Sequence, residues 1–274
     1  MKILIAADME GITGVTNWDQ VNSSHAEYAR FRRLMTGDVN AAVDGAFTAG
    51  ADEVLVTDGH GYGNNILREE LDWRAHLNSG LGSPLSIVQG VDSGVDGVIF
   101  VGYHASAGSW HAILDHTYSS SSIANVWLND VRVGEVGLNA ALCAQFDVPV
   151  LMVTGDQTVC GEARELLGPV EVAVVKHAVA RMSAECLPPQ VTADLICEAA
   201  ARAVTQLKNG QPPPLFKQNS PVQLQVEFFN SEMGDKASLL PGTQREGGRM
   251  LFYAGPDMLT VYRTFRAMVA LARS

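Results

Sequence analysis

Residues 3–10 read Ile-Leu-Ile-Ala-Ala-Asp-Met-Glu, five apolar residues running straight into two carboxylates. A short continuous apolar run of this kind is the pattern of a strand buried on both faces, as in a parallel sheet covered by helices. The pattern recurs three more times. Val54-Leu55-Val56-Thr57 leads into Asp58 and His60, Val98-Ile99-Phe100-Val101-Gly102 into His104, and Val150-Leu151-Met152-Val153 into Asp156. Open parallel sheets take their ligands just beyond the carboxyl ends of the strands. Asp8, Glu10, Asp58, His60, His104 and Asp156 are therefore expected along one sheet edge. Because strand side chains alternate with period two, Asp8 should point the same way as Glu10, and Asp58 the same way as His60.

Between the first two runs, Tyr28, Phe31, Leu34 and Met35 fall at helical spacing, and Val39, Ala42, Val43 and Phe47 resume it before Gly50. That order is strand, helix, strand. A weaker helical pattern through residues 64–78 starts at Asn64-Asn65 and carries Ile66, Leu67 and Leu71. From Gly108 to Ile123 the chain turns small and polar, and a loop of that length in a compact domain is more often functional than idle. Val126-Trp127-Leu128 and Val131-Arg132-Val133, joined by Asn129-Asp130, read as a hairpin, followed by a short helix from about 138 to 146.

Past Gly168-Pro169 the character changes. Glu171 to Val175 reads as a strand, Thr192 to Leu207 as a helix ended by Asn209-Gly210, and Val222 to Phe228 as a one-face-covered strand. Met250 to Tyr253 adds a strand, and Met258 to Ala272 a closing helix capped by Asp257. The expected fold is α/β, a mostly parallel sheet with helices on both faces, plus a smaller α+β domain: residues 1–165 form the catalytic unit and 166–274 the second.

Composition narrows the function classes. The 274 residues are 47% apolar, enough for a full core, and 30 acidic against 19 basic side chains give a formal charge of -11. With no basic stretch, nucleic acid is excluded as a partner. Cys143, Cys160, Cys186 and Cys197 lack any C-x-x-C spacing, which points to reduced thiols in a cytoplasmic protein. No apolar run reaches the ~18 residues that span a bilayer, so neither a membrane segment nor a signal peptide is expected.

Asp8 and Glu10 are the strongest site candidates, because two carboxylates at the end of a buried strand repel unless a cation or shared proton lies between them. His60 and His104, each ordinary alone, complete the His-plus-carboxylate set of a hydrolytic zinc site. Asp58 fits a supporting role better than ligation. Glu135, between Gly134 and Gly137 at a helix start, reads by spacing alone as a glutamate favoured by the helix dipole. His111 and His116 flank Leu114-Asp115 in the polar loop, where a histidine beside metals could act as acid, base or nucleophile. The glycine-rich stretch 59–63 matches no dinucleotide or P-loop fingerprint and reads as a tight ligand loop.

Taken together, Asp8-Met9-Glu10-Gly11, Asp58-Gly59-His60, Gly102-Tyr103-His104-Ala105, Asn129-Asp130 with Val133-Gly134-Glu135-Val136-Gly137-Leu138-Asn139-Ala140, and Val148 to Val153 resemble the zinc-dependent D-aminopeptidases of the bacterial dipeptide-transport type, metallopeptidase family M55. The resemblance spans nearly the whole chain with its motifs in order. It implies two Zn2+ ions per subunit, held by Asp8, Glu10, His60, His104 and Glu135, with Asp8 bridging and His116 catalytic. Glu135 thus becomes a ligand by resemblance, against its spacing. It further implies short peptides with an N-terminal D-residue as substrates, and a homo-oligomer, a decamer of two stacked pentamers. The 108–123 loop, with Trp110 and Tyr118, is then expected to need a neighbouring subunit to hold it. One position departs from the family pattern: Ala6 stands where the motif has serine.

Two other classes would use similar residues. A binuclear deacylase or phosphoesterase shares the ligand set, but phosphoryl substrates ask for Arg or Lys near the metals and the motifs hold none. A non-catalytic binding module on a doubly wound sheet would have little use for five ligands.

Overall fold

The four apolar runs are four strands of one sheet. The structure, a computed structural model, describes residues 1–274. From the amino terminus its elements are β1 (Lys2–Ala7), α1 (Tyr28–Thr48), β2 (Glu53–Asp58), β3 (Ala75–Asn78), β4 (Gly97–Val101), β5 (Ile123–Leu128), β6 (Val131–Arg132), α2 (Glu135–Gln145), β7 (Val150–Asp156) and α3 (Gln157–Leu167). They continue as β8 (Glu171–Ala180), β9 (Ser183–Cys186), α4 (Pro189–Lys208), β10 (Val222–Phe228), α5 (Ser231–Ala237), β11 (Gln244–Glu246), β12 (Met250–Gly255) and α6 (Met258–Ala272).

The large sheet has the order β3-β2-β1-β4-β7-β8-β9. All neighbours pair in parallel except β9, which returns antiparallel to β8. The chain winds outward in opposite directions from β1 and β4, so the switch point of the sheet lies between them, where such folds place their ligands. Alternation along β1 sends Ile3, Ile5 and Ala7 into a core with α1 and α4, through Met35, Val39, Ile196 and Ala200. Leu4 and Ala6 join a core on the other face with Leu138, Leu142, Phe265 and Leu224. A second, antiparallel sheet has the order β11-β12-β10-β5-β6.

Most elements follow the sequence expectations. The hairpin forms, with Asn129 and Asp130 both at positive φ (45° and 67°), as a two-residue turn between twisted strands requires. Asp257 caps α6 by accepting from Thr260 N at 2.7 Å. One expectation is corrected and one helix is added. Residues 64–74 form turns rather than a helix, because Asp58 captures the backbone N–H groups of Asn65 (2.6 Å) and Ile66 (2.8 Å). The helix α3, absent from the sequence reading, starts at Asp156, whose carboxylate accepts from Thr158 N and Val159 N. β8, β9 and α4 complete the first layer system, while β5 and β6 belong to the second sheet. Gly168, at φ 76°, ends α3, and it is this helix end that produces the break in composition there.

No helix is long and apolar enough to cross a membrane.

Candidate metal centre

Where β1 and β4 end, the backbones of two turns close on each other. Gly11 N donates to Gly102 O at 2.8 Å, and a Cβ on Gly11 would lie 1.8 Å from Tyr103 O, a contact only glycine permits. Tyr103 N is tied in turn to Thr154 O at 3.0 Å on β7. These contacts fix the residues that follow β1 against the residue that follows Tyr103, so Asp8, Glu10 and His104 meet, all buried. His60 arrives from the loop after β2, and Glu135 from the first turn of α2 beyond the hairpin.

The polar atoms interleave. His60 Nδ1 lies 3.2 Å from Asp8 Oδ1 and 3.0 Å from Glu10 Oε2. His104 Nε2 lies 3.5 Å from Asp8 Oδ2 and 3.1 Å from Glu135 Oε1. His116 stacks on His104, ring centroids 3.8 Å apart at 11°, with its Nε2 3.7 Å from Glu135 Oε1. Each imidazole has its other nitrogen on a backbone carbonyl: His60 Nε2 on Val21 O (2.9 Å), His104 Nδ1 on Ala105 O (3.1 Å), His116 Nδ1 on Leu114 O (2.8 Å). Such bonds set ring orientation and leave one nitrogen of each facing the cluster, the arrangement of metal-binding histidines.

The fit of a cation rests on what the cluster lacks. Glu10 Oε2 and His104 Nε2 are buried without a hydrogen bond, although each lies at ion-pair distance from a neighbour. A buried polar atom without a partner is costly, and two of them in one acidic cluster suit a bound cation. Donor atoms of Asp8, Glu10 and His104 lie within 4.8 Å of one another, and so do those of His104, His116 and Glu135. The electrostatics agree. Burial, then the charge of Glu10, raises the Asp8 carboxyl to about 7. Burial opposes a charge on His104, yet Glu135 and Asp8 outweigh it and raise that imidazole to about 10. His60 is raised in the same way by Glu10 and Asp8 against its burial, while His116 is lowered by burial and by the charge of His104. Both shifts arise from carboxylates crowded around the two imidazoles, an excess of negative charge that a cation would balance.

Of the expected residues, Asp8, Glu10, His60, His104 and Glu135 converge, with His116 beside them. Asp58 does not point with His60. Its oxygens take Asn65 N, Asn65 Nδ2 and Ile66 N, and Asn65 Nδ2 also donates to His60 O at 2.6 Å, so Asp58 braces the His60 loop. Asp156 is likewise outside the cluster: besides capping α3 it accepts from Ile113 N at 2.7 Å and anchors the His116 loop. His111 is exposed, stacked on Trp110. The loop is tied to the rest of the chain by Leu114 N to Arg181 O, His116 N to Ala105 O and Tyr118 N to Glu135 Oε1.

Two contributors escaped the sequence reading. Trp18, from a one-turn 3-10 helix, meets His116 edge to face at 5.6 Å and borders the cavity of about 410 Å³ in front of the cluster. Lys176, 0% exposed in the middle of β8, donates Nζ to Glu10 O (2.7 Å), Ile12 O (2.9 Å) and Val15 O (2.8 Å). Its signal was Lys176 beside His177 in the otherwise apolar stretch 172–179.

Comparison with known proteins accords with this centre. The chain is 37% identical over 273 residues to a D-aminopeptidase of Bacillus subtilis (strain 168), covering 99% of this chain and 98% of that protein. Its fold superimposes with a TM-score of 0.95, at 36% identity, on the Zn-dependent D-aminopeptidase DppA from Bacillus subtilis, described as a self-compartmentalizing protease. That match covers all of this chain and 98% of the other. Residues 1–267 match the M55 peptidase family, described as D-aminopeptidase, and the chain belongs to that family.

Proposed function

We propose that this chain is a zinc-dependent aminopeptidase that removes an N-terminal D-residue from short peptides, using two Zn2+ ions held by Asp8, Glu10, His60, His104 and Glu135. The observation that carries the reading is the pair of buried, unpartnered atoms Glu10 Oε2 and His104 Nε2 within a set of three carboxylates and two imidazoles. The distances sort the donors into two groups. His60 Nδ1 lies against Asp8 Oδ1 and Glu10 Oε2, and His104 Nε2 against Asp8 Oδ2 and Glu135 Oε1, so each Asp8 oxygen faces one imidazole, which supports a shared role for Asp8. Carboxylate and imidazole donors suit zinc.

Zinc, when bound, supplies Lewis acidity at the scissile carbonyl and acidifies water. The chain supplies the rest. His116 has its Nδ1–H committed to Leu114 O, so Nε2 carries a free lone pair toward the cluster, and there it takes a proton and returns it to the departing amine. Trp18 flanks that ring and restricts its motion. Ala6, fully buried in the apolar core, contributes no hydrogen bond to Asp8, whose Oδ1 accepts from Met9 N at 2.9 Å.

The relative described as self-compartmentalizing supports a closed homo-oligomer here, which we take to be a decamer whose enclosed space admits only short peptides. The four unpaired cysteines suit a reducing cytoplasm. The test is hydrolysis of matched D- and L-alanyl p-nitroanilides by chelator-stripped protein before and after zinc. Activity restored by zinc, with the D-substrate preferred, supports the reading; no zinc-dependent amide hydrolysis overturns it.

A further inference from the structure

A second cavity, of about 470 Å³, adjoins the first and shares His116 and Ser120 with it. The two differ in charge. The first is bordered by three carboxylates, Asp8, Glu10 and Glu135, against the single cation of Arg273, the second by Arg132 and Arg181 against the single carboxylate of Asp115. Arg181, in the turn between β8 and β9, donates Nε to Asp115 Oδ1 (2.7 Å) and Nη2 to Asp115 O (2.9 Å), and Asp115 Oδ2 accepts from Gly108 N (2.6 Å). Arg132, in β6, donates Nε to Asn125 Oδ1 (2.9 Å) and Nη2 to Ala107 O. Neither guanidinium has an intramolecular partner at Nη1, and Asp115 offsets only one of the two charges. In a chain of net charge -11, this pairing of cations on one cavity beside His116 is a local reversal of sign.

We infer that this second cavity binds the C-terminal carboxylate of a di- or tripeptide through Arg132 and Arg181. The inference rests on the aminopeptidase reading and gives it a substrate class. With the scissile bond on the cluster side of His116, the residues beyond the departing amine pass His116 and Ser120 into the Arg-bearing cavity. The one fixed anion of a short peptide is its terminal carboxylate, and a guanidinium presents donors that match a carboxylate in plane. A longer peptide places a neutral amide there and forgoes the charge-assisted bonds, so the cavity selects by length as well as by charge. Arg181 also holds Asp115, the neighbour of His116, which couples occupation of this subsite to the loop that carries His116.

The experiment compares kcat/KM of the zinc-loaded enzyme for D-alanyl-glycine and D-alanyl-glycinamide, which differ only in that carboxylate. The wild type should prefer the free acid by at least about tenfold, the scale of a charge-assisted hydrogen bond. Arg132→Gln and Arg181→Gln should bring the ratio toward one, and Arg132→Lys should restore part of it. Because both substrates are measured on the same preparation, a loss of folded or active protein cancels from the ratio. Equal rates for acid and amide in the wild type, or a ratio unchanged in both Gln variants, overturns the subsite while zinc-dependent hydrolysis of D-alanyl p-nitroanilide leaves the aminopeptidase reading standing. Absence of hydrolysis on every D-alanyl substrate removes the reading and the subsite with it.

Discussion

His60 and His116 both present one imidazole nitrogen to the same acidic cluster, yet their surroundings assign them different work. His60 Nδ1 sits within 3.2 Å of two carboxylates, whereas His116 Nε2 is 3.7 Å from one and lies in the wall between two cavities. His60→Ala should therefore lose zinc and activity together, because a removed ligand leaves the cation under-coordinated. His116→Ala should keep its zinc and fold and lose turnover by about a hundredfold or more, the scale of a missing general acid or base. Metal analysis beside steady-state rates separates the two; loss of zinc from the His116 variant would make His116 a ligand. Asp8, Glu10, His60 and His104 were legible in sequence because each directly follows a buried strand. Glu135 was legible only through family resemblance, since it reaches the cluster from a helix start beyond a hairpin rather than from the sheet edge. Asp58 and Asp156 sit at strand ends too, but backbone N–H groups capture their oxygens, and strand-end position alone does not reveal that competition.

At the scale of elements, β8 and the turn after β1 are joined by one side chain. Lys176 Nζ gathers the carbonyls of Glu10, Ile12 and Val15, and so fixes the turn that carries Glu10. Lys176→Met leaves three buried carbonyls without their donor. We expect a loss of at least about 3 kcal/mol in urea unfolding, given about 1–3 kcal/mol for each buried group left unsatisfied, and zinc affinity at least tenfold weaker in chelator competition. Unchanged zinc affinity in a destabilised variant would show that the clamp serves stability alone. Apolar runs, the hairpin and α6 were legible because pattern and capping agree locally. Residues 64–74 were not, because the N–H groups of Asn65 and Ile66 go to the Asp58 carboxylate seven and eight residues back, a competition that apolar spacing does not record.

At the scale of the whole molecule, the sheet was legible as parallel and its switch point explains why the site lies after β1 and β4. Which strands join which sheet was not, because β5, with β6 beside it, pairs with β10 across the chain, and strand pairing is a long-range choice that composition does not record. The polar loop is self-anchored, but Trp73, Leu81, Trp110 and Leu239 remain at least three-quarters exposed. We expect light scattering at micromolar concentration to give a mass near ten chains of 29.3 kDa each; a monomer or dimer would contradict the closed assembly. The central claim is the two-zinc cluster, and anomalous scattering at the zinc edge from zinc-replete crystals tests it most directly. We predict two peaks per chain among Asp8, Glu10, His60, His104 and Glu135, whereas no peak or a single peak among these residues, or zinc bound only elsewhere, would contradict the two-zinc cluster.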